Sequence, residues 1–413
     1  VILQFHRKRS NLKIGLLLAI LPGGLLPALA RAQAMPAAMM PVAMVPAATQ
    51  PASTQPVVYQ GDGLRDLMKR VMNFQIKAYG AKEPVVWQAD PFWLGVLADY
   101  KATGDEDFNK AAVHFGESND WKVGKRTFHA DDISVGQAYL IMYQHDKNPV
   151  MMADIKSRLD QYLDKKTVTS NEDGGSNKTA ALPFVGKNVW WWCDALFMAP
   201  PVLADMSSIT GDKRYLDLMD TLYWDSANNL LDPDENLFFR DPGYFFDKKK
   251  SPTGKKIFWA RGNGWVYAGL IRTIDAMPVD DPRREKYIDL FKKMTPAIVK
   301  YQQDDGMWRA SLNEPTWIPN PESTGSGFFT YGLLAGINRG FIDRPTYLPN
   351  ALRAWRGLSS VVTPEGGVGF AQNVGSAPAA ATADSFKDYS QGAFLLAASE
   401  MYGMKLTAEE MGK

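Results

Sequence analysis

The sequence predicts an all-α protein built as an (α/α)6 barrel, a closed double ring of helices, and three observations carry that prediction. Six segments of mostly small and apolar residues, from Asp90, Asp132, Asp194, Gly262, Gly325 and Tyr389, are too hydrophobic all round to lie on a surface. Amphipathic helices alternate with them, and the spacing, mostly about sixty residues, is that of a repeat. No convincing run of alternating β-branched residues marks a strand. An open solenoid would need polar capping repeats at its ends, and the sequence offers none.

Taken in order, Arg7, Lys8, Arg9 and Lys13 precede an apolar run from Ile14 to Ala30, with small residues at Ala30, Ala32 and Ala34; residues 1–34 read as a secretory leader. Pro22, Gly23 and Gly24 interrupt a run already short for a membrane anchor, which needs about 20 residues. Residues 35–60, rich in Ala, Pro and Met, read as a flexible linker, and residues 61–413 as one catalytic domain. Within it, amphipathic DLMKRVMNFQIKAY leads into buried DPFWLGVLADYKATG, then EDFNKAAVHFG into DISVGQAYLIMYQ, and PVMMADIKSRLDQYL into DALFMAPPVLADMSSITG. DKRYLDLMDTLYW then precedes GNGWVYAGLIRTIDAM, PRREKYIDLFKKMTPAIVKYQ precedes GSGFFTYGLLAGINRG, and YLPNALRAWRGL precedes YSQGAFLLAASEMYG. Thr-Gly-Asp closes two buried segments, at Thr103 to Asp105 and Thr210 to Asp212, where Gly suits the residue after a helix and Asp the cap of the next.

Lys and Arg number 46 against 45 Asp and Glu, with no basic run beyond Lys248, Lys249 and Lys250, which argues against a nucleic-acid surface. One cysteine, Cys193, excludes an internal disulfide and a Cys-rich zinc site. Four histidines supply a metal site poorly, so no metal or cofactor is expected, and no membrane partner once the leader is removed.

The unusual polar residues collect at or just before the start of each buried helix: Trp87 and Asp90; His129, Asp131 and Asp132; Trp190 to Trp192 and Asp194; Trp259, Arg261, Asn263 and Trp265; Trp317, Glu322, Ser323 and Thr324; Asp388 and Tyr389. Parallel inner helices would bring these ends to one rim. Aromatic faces stack on sugar rings, Asn, Asp and His serve hydroxyls, and Arg grips a carboxylate through two parallel hydrogen bonds. Two or three Asp residues suffice for general acid and base. The blander alternative makes the tryptophans core and the aspartates helix caps, worth about 1 kcal/mol each.

Four stretches carry a resemblance: WWWCDALFMAPPVLADMSSITGDKRYLD, FWARGNGWVYAGL, NPESTGSGFFTYGL and HADDISVGQAYL. They resemble the motifs of the unsaturated rhamnogalacturonyl hydrolases, glycoside hydrolase family 105, close to the family 88 unsaturated glucuronyl hydrolases, over roughly residues 62–403. The resemblance implies an (α/α)6 barrel and an oligosaccharide substrate ending in a 4,5-unsaturated galacturonic acid, whose vinyl ether is hydrated. It also implies that Asp194 is the general acid/base, its apolar neighbours favouring the protonated form, with Asp132, or its neighbour Asp131, as second carboxylate. Trp259, Arg261, Asn263 and Trp265 match the substrate-binding segment, with Arg261 the partner of the uronate carboxylate and Trp192 a further contact. Where some members carry a His, this chain has Arg240 and Asp241, followed by an insertion around Lys248 to Lys256; His129 is an alternative approach to the pocket. Two other readings stay open: an inverting glycosidase or epimerase acting on saturated sugars, and a non-catalytic carbohydrate-binding protein of the cell envelope.

Overall fold

A computed structural model describes residues 56–126, 129–164, 167–168, 180–181 and 189–412. The leader expected at 1–34 lies outside the described residues, as does the linker up to residue 55. Its last residues already belong to the folded body: Tyr59 is buried, and the Val58 carbonyl accepts a 3.0 Å hydrogen bond from the Trp355 indole.

Outer helices α1 (Gly61–Tyr79), α3 (Glu106–Ser118) and α6 (Val150–Asp164) alternate with inner helices α2 (Asp90–Thr103) and α5 (Gly136–Asp146); a single turn, α4 (Ala130–Ile133), leads into α5. The two-residue strands β1 (Thr167–Val168) and β2 (Ala180–Ala181) pair antiparallel. The third inner helix is broken into α7 (Ala195–Met198) and α8 (Pro200–Thr210), because Pro200 and Pro201 have no N–H to continue the ladder. Outer α9 (Lys213–Leu230) follows, then a hairpin of β3 (Leu231–Asp232) and β4 (Leu237–Phe238). Inner α10 (Ala260–Ala276), outer α11 (Arg284–Val299), inner α12 (Ser323–Asn338), outer α13 (Arg344–Ser360) and inner α14 (Asp388–Gly403) complete the chain.

The ring closes. Around the inner layer α2 packs on α5, α5 on α8, α7 and α8 on α10, α10 on α12, α12 on α14, and α14 back on α2. The inner helices are buried on nearly every side, as a helix enclosed by neighbours and by an outer ring must be. Closure demands small residues where backbones approach: a Cβ added to Gly392 on α14 would stand 2.2 Å from the Pro91 carbonyl carbon on α2.

Both Thr-Gly-Asp turns fold alike. Gly104 and Gly211 are left-handed (φ 69° and 73°), conformations that Gly adopts at no steric cost. Asp105 and Asp212 then accept from the N–H two residues on, at 3.1 and 3.0 Å, capping α3 and α9. Thr103 and Thr210 bridge each junction, donating to the carbonyl four residues back and accepting from the capping Asp N–H.

Candidate active site

The N-terminal ends of the inner helices do converge. Trp87, before α2, stacks on Tyr389 of α14 (5.7 Å) and meets Trp265 of α10 edge-on (6.0 Å); Arg261 of α10 reaches Tyr389; His129, before α4, lies against Trp192, before α7 (5.1 Å). The C-terminal ends surround a separate cavity of about 720 Å³, lined among others by Met142, Arg272, Arg339 and Glu400. Its Arg339 is already paired with Asp275 and Glu400. Asp131, Asp132 and Asp194 lie at the opposite rim.

Asp194 stands immediately before α7. Its carboxylate makes no capping bond; Oδ2 is 3.5 Å from Arg240 Nε and 3.6 Å from Cys193 Sγ. The backbone pins this arrangement, since Cys193 N donates to the Arg240 carbonyl at 2.8 Å. Asp241 Oδ2 holds Arg240 Nη1 at 2.8 Å, the guanidinium lies 5.4 Å from the Trp191 ring, and buried Nε has no hydrogen-bond acceptor. The three tryptophans divide their work: Trp190 is fully buried, Trp191 half-buried beneath Arg240, and Trp192 buried between Trp191 and His129.

Asp131 faces Asp194 from α4. Burial, reinforced by the charge of Asp194, pushes the Asp131 carboxyl up to about 7, against the pull of Arg126 and Arg240. His129 accepts the Asp131 N–H on Nδ1 at 3.2 Å, so its proton sits on Nε2. Burial, and then the charge of Arg126, lower its value to about 4, and the ring is neutral where Asp131 titrates.

Asp132 and Asp131 part company. Asp132 Oδ1 accepts from Arg126 Nη2 (2.6 Å) and Nε (3.0 Å), and Oδ2 accepts from the Arg126 backbone N–H (2.7 Å). That geometry makes Asp132 the clamp on the segment leading into α4, and of the two carboxyls the sequence left open Asp131 is the one that the charge of Asp194 helps keep protonated. Arg126 was missed in the sequence; its only mark is its place six residues before Asp132.

The W-A-R-G-N-G-W segment also differs from expectation. Arg261 is 1% exposed, and its guanidinium donates to the carbonyls of Gln372 (2.7 Å), Asn373 (3.1 Å) and Gly375 (3.2 Å) while stacked on Trp259 (4.5 Å). It anchors the 372–375 loop, and only its buried Nε is left without an acceptor. The Trp259 indole donates to Gln372 Oε1 at 2.9 Å, binding the same loop. Asn263 brackets Phe238, accepting its N–H (2.7 Å) and donating to its carbonyl (3.0 Å), as a neighbouring strand would. Trp265 is buried between Trp87, Phe197 and Phe328. All four are buried; Glu322 caps α12 through the N–H groups of Thr324 and Gly325.

With this geometry in hand, comparison with known proteins is decisive. A profile of Glycosyl Hydrolase Family 88 matches residues 65–405. The chain belongs to that family. An unsaturated 3S-rhamnoglycuronyl hydrolase of Formosa agariphila is 38% identical over 328 residues, 78% of this chain and 85% of that protein. The solved family 88 glycosyl hydrolase from Bacteroides vulgatus is 27% identical with a TM-score of 0.74, covering 83% of this chain and 98% of its own. A possible family 105 member from Salmonella enterica shares the fold, with a TM-score of 0.66 at 19% identity, covering 84% of this chain and 95% of its own. This family 88 protein therefore has the double ring of helices that its alternating segments predicted.

Proposed function

We propose that the protein is a hydrolase that removes a 4,5-unsaturated uronic acid from the non-reducing end of an oligosaccharide by adding water to the ring's vinyl ether. One observation carries the reading: the buried Asp131 carboxyl, pushed up to about 7 by burial and by the charge of Asp194, retains its proton near neutral pH, and the Arg240 guanidinium stands 3.5 Å from Asp194. Family 88 membership and the likeness to the Formosa hydrolase support it, and the name of that relative favours rhamnose as the neighbouring sugar. Elimination leaves C4 trigonal, so galacturonic and glucuronic residues yield the same unsaturated ring. The expectation of galacturonic acid in particular therefore reduces to unsaturated uronate, and substrates differ in the sugar that is expelled.

In the proposed reaction the proton held by Asp131 reaches C4 by way of Asp194, and positive charge develops across C5 and the ring oxygen. Water held between the carboxyls adds to C5 and returns a proton to the pair, restoring the catalyst. The C5 hemiketal opens by breaking its bond to the ring oxygen, and the hemiacetal left at C1 expels the neighbouring sugar as an alcohol, leaving an aldehyde. With Arg261 donating to three carbonyls and Arg126 held by Asp132, Arg240 is the cation beside Asp194 that receives the uronate carboxylate in this reading. Trp191 offers its half-exposed face beside it. The test is a matched pair of disaccharides, one unsaturated and one saturated. Loss of the double bond's ultraviolet absorbance together with release of the neighbouring sugar is expected from the first alone; release from the saturated twin would hand the protein to the ordinary glycosidases.

The pH profile should report Asp131. Below about pH 7 it holds its proton, and above that the proton is lost, so kcat/KM should be level in mild acid and fall as pH rises past about 7. Buried His129, neutral above about 4, contributes nothing in that window. In Asp131→Asn the limb near 7 should disappear; an unchanged limb would assign the ionisation to another group.

A further inference from the structure

Asp194 is held by one of its two oxygens. Both polar groups near its carboxylate, Arg240 Nε at 3.5 Å and Cys193 Sγ at 3.6 Å, converge on Oδ2, while Oδ1 makes no hydrogen bond or ion pair among the described residues. We infer that Cys193 is a positioning residue for Asp194: its thiol donates to Oδ2, fixes the rotation of the carboxylate and leaves Oδ1 as the oxygen that passes the proton to C4. The inference rests on the reaction proposed above.

A thiol can do this only if it keeps its proton and is itself held still. Cys193 is fully buried, and burial, with the charge of Asp194 behind it, keeps the thiol protonated well above the usual thiol range, so sulfur is the donor and the carboxylate the acceptor. The main chain is fixed on both sides of the residue: its N–H donates to the Arg240 carbonyl at 2.8 Å, and its carbonyl accepts from Leu196 N at 3.0 Å. The side chain keeps one heavy-atom rotation, χ1, and its walls restrict that too. Gly262 of α10 stands against the sulfur, where an added Cβ would lie 3.2 Å from Sγ and 3.0 Å from Trp259 Cε3. Any larger residue at 262 would crowd the thiol, which gives the first glycine of W-A-R-G-N-G-W a purpose.

Arg240 reaches the same oxygen from an anchor of its own, since Asp241 Oδ2 holds its Nη1 at 2.8 Å. Two separately fixed groups therefore meet at Oδ2. Proton transfer to carbon needs the acid's oxygen aligned with the trigonal atom, and a carboxylate that turns freely about its last torsion spends much of its time misaligned. One gripped at a single oxygen has the other aimed. A thiol is a weak donor, so the expected effect is the size of one modest hydrogen bond, felt in the chemical step and not in substrate binding.

The experiment compares wild type with Cys193→Ala and Cys193→Ser on a lyase-made unsaturated disaccharide. Cys193→Ala should keep KM and lose about tenfold in kcat, as expected when one hydrogen bond is lost from the transition state. Cys193→Ser, also smaller than cysteine but still a donor, should stay within about threefold of wild type. In an Asp194→Asn background, where no carboxylate remains to be aimed, Cys193→Ala should add no further loss. Unchanged kcat in Cys193→Ala, equal losses in the two variants, or the same tenfold loss in the Asp194→Asn background would each overturn the assignment. A second measurement is independent of turnover. Cys193 is the one cysteine of the sequence, so its S–H stretching band in the infrared has a single source. Donation to a carboxylate weakens the S–H bond, and the band should lie at lower frequency in wild type than in Asp194→Ala; the same frequency in both would remove the contact. A wild type inert on every unsaturated substrate would refute the reaction and with it the role of Oδ1, while a lowered band would still support Cys193 as the group that holds Asp194.

Discussion

Asp194→Asn should fold with the thermal midpoint of wild type and lose turnover by roughly 10² to 10⁴-fold. The structural half of this expectation follows from what Asp194 does not do. Its side chain caps no helix, and its near polar neighbours are the Arg240 guanidinium, already held by Asp241, and the Cys193 thiol. An amide of the same shape leaves these contacts in place. The catalytic half follows from chemistry: an amide has no proton to give to C4 and accepts none from water. A second readout checks the geometry, because Asp131 loses the neighbouring charge that helps hold its proton, and its ionisation should move down from about 7. Near-normal turnover of Asp194→Asn would remove it from the reaction.

Arg261→Met should cost about 2–5 kcal/mol of stability, read as a lower urea midpoint with an unchanged m value. The buried guanidinium satisfies carbonyls at residues 372, 373 and 375, and a thioether of similar length satisfies none. The Gln372 carbonyl keeps the Tyr389 hydroxyl at 2.6 Å, so the loss falls chiefly on Asn373 and Gly375. Arg261→Lys keeps one cluster of donors and should fall between the two. A variant with an undisturbed midpoint and a KM raised only for substrates bearing the uronate carboxylate would return Arg261 to the substrate-binding role that the sequence suggested.

That reversal shows where sequence stops being legible. Burial is written locally: a segment such as GSGFFTYGLLAGINRG has no polar face to present to water, so the inner helices, the alternation and the closed ring could be read in advance. Capping is local too, hence the Thr-Gly-Asp turns. The function of a polar side chain depends on its partner, and partners are set by the fold. Arg, Asn and Trp are the residue types that bind sugars, and equally the types that satisfy stray backbone groups. Nothing in FWARGNGW reveals that Gln372, Asn373 and Gly375, more than a hundred positions on, will stand over it. Asp131 and Asp132 are chemically identical neighbours, and Arg126 alone decides that one clamps a loop while the other faces Asp194.

The contact between α2 and α14 sets the order in which the protein can come into being. Pro91 and Gly392 touch across about three hundred residues of chain, and contacts so distant in sequence are slow to form because the entropy of bringing the ends together comes before any reward from packing. During synthesis each helical hairpin can collapse as it emerges, but the flank of α2 that receives α14 has no cover until α14 is made. Until then the nascent molecule is an arc with an apolar edge at each end, open to a chaperone or to the same edge of a second arc. The segment around Arg261 shares that timetable: Tyr389 and the 372–375 loop, which hold its guanidinium, are made more than a hundred residues later.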